Sequence, residues 1–118
     1  MEPCEVPGCK LLGQRHHIVF RSQGGLDIPM NFKYLCPEHH TGKESPHGSR
    51  AIDLKYKKEE QDKLFKIFTE DTYTIKQIAD LIGYDKRRLE KRFAKVRSKA
   101  GSYEREDIIR ALMGGRLY

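Results

Sequence analysis

The chain has 118 residues, of which 37% are apolar and 34% charged, and this length fits one ordinary domain or two very small ones. It shows no apolar run long enough to span a bilayer and no n-region followed by an h-region, so we expect neither secretion nor a membrane partner. Its three cysteines are an odd number, which argues against a closed disulfide framework. We therefore expect a protein of the reducing cytoplasm.

The net charge of +6 is unevenly distributed along the chain. Lys86–Lys99 contains eight Lys or Arg residues and one Glu, a net of +7, so the remaining residues sum to −1. Such a concentration favours contact with a polyanion, and the alternative is a solvated helix face. The candidate nucleic-acid contacts in this segment are Arg87, Arg88, Lys91, Arg92 and Lys95.

The first residues contain Cys4 and Cys9, separated by a turn with Pro and Gly. Their natural partners are Cys36 and His39, because two short pairs of thiolate and imidazole are how proteins hold structural zinc. The alternative is three unrelated cysteines. A zinc site would supply the staple that a module of about fifty residues needs, since its hydrophobic core is small.

The next segments predict a strand, a second strand and a short helix. Gln14–Phe20 is rich in β-branched and aromatic residues, and Gly and Pro then break the pattern. Asn31–Cys36 alternates well enough for a second strand, so a hairpin is expected. Glu38–Lys43 is the predicted helix, which Gly42 and Pro46 keep short.

All five histidines lie in this region, between His16 and His47. The pattern of His16-His17, thirteen residues, Asn31, eight residues and His40 resembles the HNH (ββα-metal) endonuclease motif over about the first fifty residues. The resemblance implies a phosphodiesterase that acts on double-stranded DNA with one catalytic divalent cation. Imidazole-rich sites accept several such ions, so Mg²⁺, Mn²⁺, Ni²⁺ and Zn²⁺ all remain open.

The same resemblance implies a role for each matching residue. His16 and His40 would be metal ligands and His17 the general base. Asn31 would hold the hairpin loop and orient the base through hydrogen bonds. Arg21 follows the first strand and is a candidate phosphate contact, although a loop arginine is as often simply solvated.

The third metal ligand departs from the family pattern. Family members commonly place it four residues after the preceding histidine, where this chain has Glu44, whereas His47 lies seven residues on and beyond a proline. Both are therefore candidates. A structural zinc site alone would leave four of the histidines unexplained, which favours a second metal site.

The second half of the chain is predicted to be helical. Ser49–Tyr56 is interpreted as a linker, followed by a helix from about Lys57. Thr74 and Gln77 have the form of a capping box at the start of the next helix, which Gly83 is expected to end. The last predicted helix is Glu104–Met113.

Asp85 is a good N-cap for a helix in which Leu89, Phe93 and Val96 would be buried. Helix, glycine turn and basic helix together resemble the helix-turn-helix motif over residues 75–94, and an ordinary pair of packed helices is the alternative. We therefore expect a DNA-binding module.

Together these observations predict an α+β protein, with a zinc-stapled ββα-metal (HNH) module at 1–50 and an all-helical, basic, helix-turn-helix-like module at 51–118. The expected function is a metal-dependent DNA endonuclease, by family association of phage type and acting in a bacterial cytoplasm. The alternative is a non-catalytic, zinc-stabilised helix-turn-helix DNA-binding regulator. Single-strand or RNA binding would need exposed aromatic residues that the basic segment lacks. The oligomeric state and target site stay open.

Overall fold

The structure is a computed structural model that describes residues 2–118. Strand β1 (Gln14–His17) pairs antiparallel with β2 (Phe32–Leu35), and helix α1 (Pro37–Thr41) follows. This order confirms the predicted hairpin and short helix. His16 lies opposite Lys33 in the register, and α1 begins directly after Cys36, which caps it.

β1 is shorter than predicted, because Ile18–Phe20 leave the strand. The side chain of Asn31 accepts a hydrogen bond from the backbone N–H of Val19 and donates one to its carbonyl. These are the groups that a neighbouring strand would otherwise bond. The chain then forms short 3-10 turns at Arg21–Gln23 and Pro29–Asn31 before entering β2.

The predicted linker over Ser49–Tyr56 is wrong, because this segment lies in helix α2 (Arg50–Ile67). The Ser49 hydroxyl accepts a hydrogen bond from the backbone N–H of Ile52, as an N-cap serine does. The polar residues after residue 49 belong to this long helix, and some of them are buried. Its buried residues are Lys57, Glu60, Gln61 and Leu64.

Beyond α2 the chain forms β3 (Thr72–Thr74), α3 (Ile75–Ile82) and α4 (Lys86–Arg92). It continues through β4 (Ser102–Glu104), which pairs antiparallel with β3, into α5 (Arg105–Leu112). Residues 2–118 therefore form an α+β fold with five α-helices and two small antiparallel sheets. None of these helices combines the length and the apolar character needed to cross a membrane.

The sequence signals at the ends of α3 and α4 are confirmed. Thr74 and Gln77 form the predicted capping box, Gly83 has the left-handed φ of 69°, and the Asp85 carboxylate accepts from the backbone N–H of Arg88. The predicted extent of α4 needs correction: it ends at Arg92, so Val96 lies beyond it and is half-buried. Leu89 and Phe93 are buried as predicted.

One hydrophobic core joins the two halves of the chain. Val19, Leu26 and Ile28, from the loop between β1 and β2, are buried together with apolar residues of α2–α5. The loop also touches the turn after α5, where a side chain on Gly114 would lie 3.1 Å from Val19 Cγ1. A second, small cluster around Leu35 contains Cys4 and Cys36.

Candidate metal centres

The first centre consists of Cys4, Cys9, Cys36 and His39, whose ligand atoms all lie within 4.8 Å of one another. His39 Nδ1 lies 3.5 Å from Cys4 Sγ and 3.2 Å from Cys36 Sγ, and the sulfurs of Cys9 and Cys36 are 3.9 Å apart. Sulfurs bound to one tetrahedral zinc are about 3.8 Å apart, whereas a disulfide needs about 2.05 Å. The group could therefore hold a structural metal such as zinc.

Local backbone geometry brings these ligands together. Cys4 N–H donates to the Leu11 carbonyl, closing the turn that carries Cys9, and Glu5 N–H donates to the Tyr34 carbonyl of β2. Burial raises the pKa of the Cys4 thiol, but hydrogen bonds from the backbone at Cys36 and Val6 and from His39 outweigh it and lower the pKa to about 6. This thiol is therefore readily ionised, as a zinc ligand must be.

The second centre consists of His16, His40 and His47, whose ligand atoms also lie within 4.8 Å of one another. The ring centroids are 5.0–5.1 Å apart. His16 is 2% exposed, and its buried Nε2 has no hydrogen-bond partner among the described residues. A buried polar atom without a partner is costly, and a cation shared by the three rings would satisfy it. The residues present therefore fit a divalent cation.

Burial lowers the pKa of two histidines of this triad. Burial, followed by the neighbouring charges of His40 and His47, lowers the pKa of His16 to about 3. Burial also lowers the pKa of His40, whose Nδ1 lies 3.0 Å from the Gln14 side-chain oxygen. Such a contact fixes the orientation of a ligating imidazole and leaves Nε2 free for the cation.

The structure brings His47, and not Glu44, into this triad. The chain folds back after α1 because the buried Ser45 hydroxyl donates to the Gly42 carbonyl and accepts from the Gly48 N–H. The returning His47 ring stacks on Phe20 at a centroid distance of 4.9 Å. A turn, and not a further turn of helix α1, thus places the irregularly spaced third histidine beside the other two.

His17 lines the same cleft as the triad but does not belong to it. Its Nε2 lies 2.6 Å from Asp27 Oδ1. The hydrogen bond from His17, followed by the charge of Arg21, holds the pKa of the Asp27 carboxyl below its usual range. Asp27 was not predicted as a site residue, and its signal in the sequence is slight: one acidic residue between the buried Leu26 and Ile28.

Asn31 is buried, and its side chain forms hydrogen bonds with the backbone of the loop between the two strands. Its side chain bonds both backbone groups of Val19 and donates to the Leu26 carbonyl at 3.0 Å. Its hydrogen bonds within residues 2–118 thus go to the loop backbone and not to His17. Any effect of Asn31 on His17 passes through the loop that carries Asp27.

Behind the cleft lies a buried lysine, which was not predicted as a site residue. Lys57 of α2 is 1% exposed, and its Nζ lies 2.8 Å from Asp53 Oδ2 and 4.2 Å from the centroid of Phe20. Phe20 thus contacts the Lys57 ammonium as well as the His47 ring. This contact connects α2 to the histidine triad.

Of the residues predicted to contact nucleic acid, Arg21 lies in the histidine cleft and the others lie outside it. Arg21 lines the histidine cleft with its side chain 72% exposed, and its Nη2 lies 3.5 Å from Asp27 Oδ1. The structure does not bring the basic residues of α4 and its extension into this cleft, and all of them are exposed: Arg87, Arg88, Lys91, Arg92 and Lys95.

Comparisons with protein-family models, curated proteins and solved structures found no match for this chain.

Proposed function

We propose that this protein is a metal-dependent DNA endonuclease of the HNH type, with a helix-turn-helix-like DNA-binding region at α3 and α4. The observation that carries the proposal is the histidine triad, a second candidate metal centre beside the Cys4–His39 group. A structural role needs one closed set of ligands. The second set leaves the buried Nε2 of His16 without a partner within residues 2–118 and opens into a cleft lined by arginines.

The cleft contains the groups that phosphodiester hydrolysis requires. His16, His40 and His47 would hold the cation, which when bound offsets the charge that develops on the phosphate and the leaving oxygen. His17 would accept the proton of the attacking water. Its Nε2 faces the Asp27 carboxylate, so a neutral His17 carries its proton there and keeps the lone pair on Nδ1.

Arg15 and Arg21 line the same cleft and supply positive charge for the scissile phosphate. Both arginines are exposed to solvent, and the Arg15 guanidinium lies 4.4 Å from the centroid of Phe32. Three protein ligands leave coordination positions open for substrate and water, as in catalytic rather than structural sites.

The ligand set also predicts the order of affinity among the candidate cations. Neutral imidazoles suit Zn²⁺ and Ni²⁺, whereas Mg²⁺ prefers carboxylate and water oxygens. The triad brings three imidazoles and no carboxylate. We therefore expect Ni²⁺ and Zn²⁺ to bind most tightly, Mn²⁺ more weakly and Mg²⁺ weakest.

The test is cleavage of supercoiled plasmid by the purified protein with each of these four cations. Nicked or linear DNA should form with at least one cation and be absent after chelation. His17→Ala, purified in parallel, is the matched control for a contaminating nuclease. Intact plasmid under all four conditions, from protein that contains zinc and is folded, would contradict the proposal.

A non-catalytic, zinc-stabilised DNA-binding regulator is the second candidate. It is favoured by the exposed basic residues of α4, a helix that follows α3 after a left-handed Gly83. The two functions differ in metal content. A single tight zinc per chain favours the regulator, whereas a second class of site, lost on His16→Ala, favours the nuclease.

A further inference from the structure

Four depressions follow one another across the surface, from the histidine cleft to the loop before β4. The 3-10 turn Arg21–Gln23 separates the cleft from the second depression, which Gln23 lines together with Arg92. The second and third depressions share Val96, and the third and fourth share Arg97. Shared lining residues join the last three depressions and the short turn joins the first to the second, so the four form a row that we call the basic track.

The lining of the basic track is strongly cationic. Arg15 and Arg21 line its first part and Arg92 its second. The third and fourth parts add Lys95, Arg97, Lys99 and Arg110. Among residues 2–118, two acidic residues line the track, Asp107 and Glu104, and both lie within 4.0 Å of Arg97. Two further carboxylates pair with track arginines from outside the lining: Asp27 with Arg21 and Glu106 with Arg110.

The track crosses both halves of the chain, and the shared hydrophobic core connects them. The loop that bears Arg21 packs on the turn after α5, where Gly24 approaches Gly114. A ligand lying along the track would therefore contact the metal cleft and the end of α4 together. A stripe of positive charge along a surface is the electrostatic footprint of a nucleic-acid backbone.

We propose that one DNA duplex lies along the basic track, and that Arg15 and Lys99 contact its phosphates at opposite ends. The proposal rests on the proposed function only in taking DNA as the partner. A duplex fits better than a single strand, because the non-histidine aromatic rings of the lining are not free for base stacking. Phe20 stacks on His47, and Phe93 is 2% exposed.

The test measures the affinity of Arg15→Gln and Lys99→Gln for a 20-base-pair duplex as the salt concentration is varied. The longest dimension of the protein, 48 Å, corresponds to about 14 base pairs at about 3.4 Å each, so this duplex covers the whole track. All variants carry His17→Ala, so that binding is read without cleavage. Lys66→Gln is the matched control, because Lys66 is an exposed lysine of α2 that lines none of the four depressions.

Each track substitution should lower the log–log salt slope by about 0.9 and weaken binding roughly eightfold at 100 mM salt. The double variant should lose about twice that slope, and Lys66→Gln should change neither quantity. The proposal is overturned if both track variants bind like the Lys66 control, or if a single strand of equal length binds more tightly than the duplex. The zinc content of each variant reports whether the β1–β2 module is folded. If Arg15→Gln disturbs that module, Lys99→Gln still tests the track, because Lys99 lies outside the module.

Failure of the track and failure of the nuclease are distinguishable. Plasmid cleavage by the parent protein, with track variants that bind like the control, overturns the track and leaves the nuclease standing. A parent protein that does not cut, but whose DNA binding depends on Arg15 and Lys99, supports the track and contradicts the nuclease.

Discussion

The Nε2 atom of His17 lies 2.6 Å from Oδ1 of Asp27, which follows it by ten positions in the chain. Two lone pairs would repel at this distance, so the ring nitrogen donates and the carboxylate accepts. Asp27 thereby fixes which nitrogen of His17 carries the proton. In the proposed reaction this leaves Nδ1 to act as the base, and Asp27 is a positioning residue.

We expect Asp27→Ala to reduce cleavage roughly 10²-fold, because a base in the wrong tautomer forfeits much of the usual 10²- to 10⁴-fold contribution of acid–base catalysis. Metal content and DNA affinity should stay at parental values. Nitrogen chemical shifts of His17 should show a mixture of tautomers. Asp27→Glu should restore part of the rate, and Asp62→Ala, an exposed acid on α2, is the control. Parental cleavage by Asp27→Ala would contradict this role.

Replacing the adjacent histidines should give opposite metal results. His16→Ala removes a buried candidate ligand and should lose the second class of metal site together with cleavage. His17→Ala should keep both metals and DNA binding and lose cleavage roughly 10²- to 10⁴-fold. Metal analysis and single-turnover cleavage measure both effects. If His17→Ala loses the metal and His16→Ala keeps it, the two roles are reversed.

Cys36→Ser should unfold the β1–β2 module. Cys36 is 1% exposed and directly precedes α1, the helix that carries both His39 and His40. Structural zinc contributes on the order of 10 kcal/mol to the folding of small modules, comparable with the whole stability of a domain. Zinc analysis and thermal melting are the measurements, and parental values for both would rule out the zinc site. His40 should lose its metal at the same time.

Glu60 should make the protein less stable as the pH rises. Burial raises the pKa of its carboxyl to about 7, and Oε1 has no hydrogen-bond partner among the described residues. Between about pH 4.5 and 7 the folded state therefore keeps a proton on Glu60 that the unfolded state has released. The free energy of unfolding consequently falls as the pH rises through this range.

Glu60→Gln should accordingly stabilise the protein at pH 8 by roughly 3 kcal/mol and have little effect at pH 4. Urea unfolding at both pH values measures the difference. Glu70→Gln, on an exposed residue, is the matched control and should change neither. An equal effect of Glu60→Gln at the two pH values would show that the carboxyl does not titrate in this range.

Signals that act within one turn of the chain were predictable. The Thr74–Gln77 capping box, the left-handed Gly83 and the Asp85 cap appear as expected, since each depends on backbone groups at most four residues away. The linker at Ser49–Tyr56 was wrongly predicted because polar residues on a long helix have the composition of a linker. Burial of Lys57 beside Asp53 and Phe20 is set by packing, and its charge gave no sign of it.

The sequence by itself determined the two short Cys/His pairs and the positions of His16 and His40, because strand pairing and one turn of α1 place them within a few residues of their neighbours. Only the tertiary structure decided that His47 and not Glu44 joins the triad, and that Asp27 meets His17. Both depend on how loops close. Closure follows from hydrogen bonds of the buried Ser45 and Asn31, which have no periodic pattern in a sequence.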